Sequence, residues 1–414
     1  MYKNNQQKEN NITLQLMIQK LGINGEGIGY YQRKPIFIKG ALPYELVEVK
    51  ITSFKKTYGY GELVKIIKPS KDRVEPFCPY FGQCGGCSLE HLAYIKQCEA
   101  KHDQVVETFK KYFEGDTKIT VKPTLGAKNT LNYRNRTQLP CRFDGHHVKT
   151  GLYAEGSNEL IYVDKCALEQ VNIQNILKDI RNYLSAKRVS VYNPKNRLGA
   201  LRYLCIRSVG TSADIAVTAV LFEEDQDTIE ALKGLASFDG VKSLSWCLNH
   251  DPRSLDIIKE PLHYLTQDHY ITGAFGRLEA QLSPDSFFQL NTAQTSLLYY
   301  EIEKAAELTG VEHVLDMYCG IGSIGLSLAH KAKSVKGIDI KKENIDNAKE
   351  MIKVNHITNA EMYCGDAGDV LGKLTKEGYE PDVVIVDPPR TGLSQCLSEI
   401  AQRVGGGYLT LCDR

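Results

Sequence analysis

Over residues 13–68 apolar and polar side chains alternate in short runs: ITLQLMIQKLG, KPIFIKGAL, ELVEVKITSFKK and YGYGELVKIIKPS, with the glycine-rich turn INGEGIGYYQ after the first. A period of two is that of a strand with one buried face, and the Gly, Pro and Asn between the runs mark turns. With the turn segment counted, these five short runs predict a small antiparallel barrel of the OB type. Lys68-Pro69-Ser70-Lys71 reads as a linker. Beyond it the spacing over 89–113 is helical, and a mixed region to about residue 280 offers strands at 136–142, 160–163, 201–209 and 215–222.

From Ser283 the pattern changes. A helix over 291–308 is followed by a strand HVLDMY, a helix SIGLSLAHKA, a strand SVKGIDI and a helix KENIDNAKEMIKVN. A third strand precedes CGDAGDV, and a fourth is DVVIVD. Such regular alternation implies a parallel, doubly wound sheet of the Rossmann-like α/β class. Three modules are therefore expected: a barrel over 1–70, a central α+β module over 71–280, and an α/β module over 281–414.

Composition narrows the class. The chain has 414 residues, 42% hydrophobic and 24% charged, which suits two or three separate globular cores. Its polar start, MYKNNQQKENN, lacks the apolar centre of a signal peptide, and no later stretch approaches about 18 uninterrupted apolar residues. The expectation is a cytoplasmic monomer without membrane contact. Twelve cysteines spread along so long a chain point to thiols or metal ligands rather than a disulfide framework.

The net charge of +1 hides an asymmetry: residues 1–75 carry 13 Lys+Arg against 7 Asp+Glu, and residues 281–414 carry 13 against 19. A basic end suits polyanion binding and an acidic end suits the chemistry. In the barrel, Tyr30, Tyr31, Phe37, Phe54, Tyr58 and Tyr60 lie among Lys34, Lys39, Lys55 and Lys56. Rings and cations in that mixture bind single-stranded RNA, although about half of such rings belong to a barrel's own core. The run resembles the TRAM domain, an RNA-binding barrel.

Candidate chemistry sits in three places. Cys78, Cys84 and Cys87 share the glycine-rich segment CPYFGQCGGC, and Cys166 in YVDKCALEQ is a possible fourth ligand. Thiolates without histidine partners favour a soft-metal centre, either zinc or an iron–sulfur cluster, and spacing does not choose between them. Cys98 competes for the fourth position but is expected in the core of the helix that carries it.

In VLDMYCGIGSIGLSLA an apolar strand ends at Asp316 and a turn holds Gly320 and Gly322. Asp339 ends the next strand, suited to ribose hydroxyls. D-x-x-C-G-x-G differs from the dinucleotide pattern and is the form found in S-adenosylmethionine methyltransferases. Asp366 follows the third strand, where a carboxylate would read an adenine amino group. Asp387-Pro388-Pro389 makes a stiff turn after the fourth, facing donor and base, with Arg390 beside it. Upstream, SPDSFFQLN offers Gln289 and Asn291 as neutral amides among Phe287, Phe288 and Leu290, either gripping a small ligand or capping a helix.

Taken in order, CPYFGQCGGC, YRNR at 133–136, SFFQLN, LDMYCGIG, GID and VDPPRTG resemble the RumA/TrmA family of RNA uracil-C5 methyltransferases, particularly its cluster-bearing rRNA branch. The resemblance covers nearly the whole chain. It implies that Cys78, Cys84, Cys87 and Cys166 bind a 4Fe-4S cluster. It also implies that Gln289, Tyr318, Asp339 and Asp387 line an S-adenosylmethionine site with Asp366 nearby, and that Arg134 and Arg136 face RNA, a structural arginine network being the alternative for them; 23S rRNA is the expected substrate and tRNA the alternative.

Uracil C5 is too electron-poor to attack a sulfonium methyl. Such enzymes therefore add a cysteine thiolate to C6, and a base later removes the C5 proton. The target uridine must also leave its stack. The family's nucleophile stands in Y-V-S-C-N-P beyond Asp-Pro-Pro, with a glutamate base further on; here the corresponding stretch is GGGYLTLCDR. Cys412 is the expected nucleophile, one residue later relative to Tyr408 and without Asn-Pro, and the chain is expected to stop short of the family's last strands. Two other readings stay open: an RNA- and donor-binding protein without turnover, and a methyltransferase of exocyclic amines, for which an aromatic is expected where Arg390 stands.

Overall fold

The computed structural model describes residues 12–112, 120–210, 212–254, 256–259 and 261–388 and the backbone of 407–410. The chain divides into two compact units, one of residues 1–128 and 151–163, the other of 129–150 and 164–414.

In the first unit β1 (Thr13–Met17), β2 (Lys20–Leu21), β3 (Gly27–Tyr31), β4 (Lys34–Ile38), β5 (Leu46–Phe54) and β6 (Gly59–Lys68) lie in the order β1-β5-β6-β4-β3-β2. Neighbours are antiparallel except β4 beside β6. Alternation along β5 sends Val47, Val49 and Ile51 inward onto Leu16, Ile18, Ile36 and Ile38. At Gly29 the far edge comes back so near β1 that a Cβ would sit 3.3 Å from both the Leu16 Cβ and the Met17 carbonyl oxygen. The sheet thus curls onto itself as a barrel, and glycine at this position eases the close approach.

Two expectations for this unit need correction. Residues 68–71 are not a free linker: β6 runs through Lys68, and the buried Ser70 donates its N–H to Glu45 Oε1 at 3.2 Å. Glu45, itself fully buried, also takes Arg73 through Nε at 2.7 Å and Nη2 at 2.9 Å, because a buried carboxylate needs several donors. The helix read over 89–113 begins later, as α1 (Tyr94–Tyr112), since Leu92 pairs with Arg73 as a β-bridge instead.

In the second unit β7 (Arg136–Phe143) starts a mixed sheet, continued by β8 (Val148–Tyr153), whose outer half pairs with β9 (Leu160–Tyr162) inside the first unit. After α2 (Val171–Ala186) come β10 (Leu201–Ser208), β11 (Ile215–Leu221), α3 (Gln226–Lys233), β12 (Val241–Leu248) and β13 (His263–Tyr264), ordered β13-β12-β11-β10-β7. A hairpin of β14 (Ile271–Phe275) and β15 (Leu278–Leu282) follows. The sequence reading lacked α2, α3, β8, β12 and β13 and this hairpin. In β12 the fully buried Ser243 and Ser245 break the apolar signature; the Ser245 hydroxyl bonds the Thr218 hydroxyl at 2.9 Å.

Next come α4 (Thr292–Ala306), β16 (His313–Met317), α5 (Ser323–Leu328), β17 (Ser334–Asp339), α6 (Lys342–Val354), β18 (Ala360–Cys364), α7 (Ala367–Lys376), β19 (Val383–Val386) and β20 (Gly407–Thr410). The strands form a parallel sheet in the order β18-β17-β16-β19-β20, the doubly wound arrangement expected. Alternate residues serve opposite cores. Val314, Val383 and Ile385 pack with Tyr299, Ile302, Ile345 and Met351 on one face, while Leu315, Met317, Val384 and Val386 pack with Leu371 and Leu374 on the other. Burial on both faces is why these strands read as unbroken apolar runs. Chain order reverses between β16 and β19, so their carboxyl ends open a crevice. Among the described residues no helix is long and apolar enough to cross a membrane.

Candidate cofactor site and its surroundings

At the crevice the backbone is shaped by left-handed turns. After β16, Tyr318 (φ 61°), Gly320 (φ 55°) and Gly322 (φ 77°) all adopt positive φ. The turn is tied to the sheet, Cys319 N–H donating to the Ile338 carbonyl at 2.9 Å. A Cβ added to Gly320 would meet nothing within 4 Å, so this backbone borders open space, as a loop that cradles a ligand requires.

Asp339 locks the turn from the neighbouring strand. Its Oδ2 accepts from Gly320 N–H at 3.0 Å, and its Oδ1 from Lys341 N–H at 2.8 Å and Asn344 Nδ2 at 3.0 Å. Asp316, fully buried at the end of β16, accepts from Gly325 N–H through Oδ2 at 2.8 Å, while its buried Oδ1 has no partner among the described residues. Burial pushes the Asp316 carboxyl up to about 7; the Gly325 bond opposes this, and the charges of Asp387 and Asp339 add to it. Three carboxylates therefore converge on one sheet edge, an environment that favours a cationic ligand.

Asp366 caps α7: its Oδ1 accepts from Gly368 N–H at 2.9 Å and Asp369 N–H at 3.3 Å. Capping thus engages one oxygen of this carboxylate, and its charge also reaches Tyr318, whose hydroxyl is raised first by burial and then by Asp366. Asp387 follows the last residue of β19, and its charge acts on Asp316 and on the buried Tyr299. Tyr299, which sequence reading missed, bonds the Ser323 hydroxyl at 2.6 Å and so ties α4 to the start of α5.

The segment SPDSFFQLN leads into α4. Asn291 takes the helix-capping role, its side chain accepting from Gln294 N–H at 3.2 Å; Phe288 is buried, Phe287 is 55% exposed and Gln289 is half-buried. Arg207 anchors the segment's start, donating to the Ser283 carbonyl at 3.0 Å and the Ser286 hydroxyl at 2.9 Å. Arg134 bridges to both Glu169 and Asn291 through its backbone and donates Nε to the Arg136 carbonyl at 3.0 Å. Burial lowers the Arg136 guanidinium, with nearby Cys205 and Asp285 opposing. These arginines thus include structural members, as the alternative to RNA contact allowed.

Cys78, Cys84 and Cys87 lie in the first unit and Cys166 in the second. Gly85 N–H pairs with the Tyr153 carbonyl at 3.1 Å, and Gly86 N–H donates to Cys84 Sγ at 3.3 Å. Burial raises the Cys84 thiol; the Gly86 bond opposes and the neighbouring Cys78 adds to the rise. An all-thiol set with an N–H···S bond has the donor chemistry of a soft-metal centre. Among the described residues, however, no three His, Cys, Asp or Glu side chains gather closely enough to hold a metal ion. Cys98, expected in the core, is only half-buried, since α1 buries none of its residues. Arg390 and Cys412 lie outside the described residues.

In the barrel Phe37, Tyr58 and Tyr60 form a ring cluster with centroids 5.5–5.9 Å apart, and Tyr60 is 44% exposed. Lys34 lies over the Phe54 ring at 5.8 Å.

Comparison with known proteins matches two family models: TRAM domain over residues 7–64 and tRNA (Uracil-5-)-methyltransferase over residues 93–408. An uncharacterized RNA methyltransferase of Bacillus anthracis is 37% identical over 394 residues, covering 95% of this chain and 86% of its own length. Another, from Listeria monocytogenes, is 37% identical over 389 residues, covering 92% and 84%. Among solved structures, the Pyrococcus abyssi tRNA (uracil-54, C5)-methyltransferase in complex with S-adenosyl-L-homocysteine superposes with a TM-score of 0.73 at 23% identity, covering 97% of this chain and 90% of that one. At that identity the likeness concerns the fold.

Proposed function

This chain belongs to the tRNA (uracil-5-)-methyltransferase family of S-adenosylmethionine-dependent RNA methyltransferases, and on that premise we propose that it methylates C5 of a uridine in 23S rRNA, as a cytoplasmic monomer, through a cysteine–C6 adduct. The observation that carries this reading is the acidic crevice at the switch point, where Asp339 binds the Gly320 turn while Asp316 and Asp387 share its edge.

S-adenosylmethionine, when bound there, supplies the methyl group. Asp339 would take the ribose hydroxyls, Tyr318, Gly320 and Gly322 would border the donor, Asp366 would face its adenine, and Gln289 and Asp387 would line the side nearest the base. Cys412 is the proposed nucleophile: its thiolate forms a bond to C6, and the displaced π electrons make C5 a carbanion equivalent. C5 takes the methyl group, a base removes the C5 proton, and re-formation of the C5–C6 double bond expels the thiolate. The barrel's rings and cations would hold flanking RNA by stacking and charge. Cys78, Cys84, Cys87 and Cys166 are the proposed ligands of a 4Fe-4S cluster, a reading supported by the all-thiol donor set and by the motif resemblance.

Incubation with labelled methyl donor and either 23S rRNA or tRNA, followed by nucleoside analysis, tests the reaction. 5-Methyluridine in 23S rRNA supports the proposal; modification of tRNA alone moves the substrate, and methylation at a nitrogen sinks the chemistry. With 5-fluorouridine RNA a covalent protein–RNA band is expected that Cys412→Ala abolishes. Anaerobic purification should give near-equal iron and sulfide, lost in Cys84→Ser, whereas stoichiometric zinc overturns the cluster.

A further inference from the structure

In the YRNR motif at 133–136, Asn135 between the two arginines is 2% exposed. Asn135 Nδ2 donates to the Gln289 carbonyl at 2.9 Å and to the Thr292 hydroxyl at 3.2 Å. Its N–H donates to the Leu290 carbonyl at 3.0 Å, and its own carbonyl accepts from Ser208 N–H at 2.9 Å. One residue thus grips positions 289 and 290, which belong to no strand, and Thr292, the first residue of α4. The other edge of its segment is held as well: Asn132 N–H bonds the Ala167 carbonyl at 2.9 Å and Arg134 N–H the Leu168 carbonyl at 2.8 Å.

We propose that Asn135 is a positioning residue for the methyl-donor site, fixing the backbone so that the Gln289 amide is presented to the donor. The inference rests on Gln289 belonging to that site. The backbone bridge of Arg134 with Asn291 already attaches the two segments, so the amide's two bonds add orientation rather than attachment. A flexible side chain such as Gln289 gains most when its own backbone is held from outside. Without the Asn135 donor, the Gln289 carbonyl loses its partner and the peptide plane between Gln289 and Leu290 is less firmly held.

Asn135→Asp in the full chain provides the test. An ionised carboxylate cannot donate to the Gln289 carbonyl and repels it, whereas the protonated acid can donate one bond. Calorimetric titration with S-adenosylmethionine should show about tenfold weaker binding at pH 8, recovering as the pH falls through the carboxyl's titration, with no such recovery in wild type or in Gln289→Ala. Wild-type affinity at pH 8, or weakness that pH does not relieve, overturns the proposal. Should the charge prevent folding, Asn135→Ser, too short to span both acceptors, carries the test: tenfold weaker binding supports positioning, and unchanged binding overturns it. Gln289→Ala separates the premise. If that variant binds the donor normally, Gln289 is not in the site; if it weakens binding while Asn135→Asp stays flat with pH, positioning alone fails.

Discussion

The acidic crevice and the thiol loop are both compact motifs built around glycine, yet the fold treats them differently. The crevice turn hangs from the carboxyl ends of packed parallel strands, and Asp339 and Asp316 each bind backbone N–H groups of the turn or of the helix that follows it. The thiol loop between Cys78 and Cys87 is held by turns, by the Gly85 bond to Tyr153 and by the side chain of Glu90, which accepts from Cys78 N–H. A site on a sheet edge is organised before its ligand arrives. A site on a loop without strands relies on the ligand to gather it, as structural metal centres commonly do.

The largest expected effect tests how fully the crevice is built around buried charge. The folded chain holds the Asp316 proton up to about pH 7, while the unfolded chain releases it near the ordinary carboxyl value. Folding therefore binds a proton between those limits, and stability falls as pH rises from about 4 to 7, by up to about 4 kcal/mol. An amide in place of this carboxyl is uncharged throughout and its oxygen still accepts the Gly325 bond, so Asp316→Asn should gain stability relative to wild type across that window. Urea midpoints at pH 4, 5.5 and 7 give the difference; a constant gap between the two proteins would show that the carboxyl ionises freely.

A smaller effect is expected at Asp339. Alanine there removes the acceptor of Gly320 N–H and the proposed ribose contact together, so affinity for S-adenosylmethionine should fall roughly 10- to 100-fold. Unchanged calorimetric binding would place the donor elsewhere. Smallest of all should be the effect of the loop on the crevice. If the two sites are independently built, Cys84→Ser leaves donor affinity within about twofold of wild type, as separate sites with no shared partner are additive. A larger loss would mean that the crevice depends on whatever the thiols hold.

Legibility in the sequence followed the range of the interactions. Strands β16 and β19 were readable because burial on both faces leaves unbroken apolar runs, and the turn between β16 and α5 because its glycines must take positive φ. Glu45, by contrast, is an ordinary alternating Glu until Arg73 and Ser70 come to it from 28 and 25 residues away. The serines of β12 look like a loop until the neighbouring strand supplies Thr218. Asp366 was correctly placed after its strand, but no spacing rule says that its Oδ1 is consumed as a helix cap. Asn135 was inside a recognised motif and still passed over, since its partners lie 154 and 157 residues downstream.

That long separation also has a consequence for synthesis. A chain emerging at roughly 5–20 residues per second exposes Asn135 for some 8 to 30 s before Gln289 exists to receive its amide. The edge at 132–135 can meet 167–170 early, but its other side must wait. During that interval a side of the segment destined to be buried is bare to whatever else is nearby, including the following copy on the same message. Refolding from denaturant, where both partners are present at once, should therefore pass through a different sequence of events than folding on the ribosome.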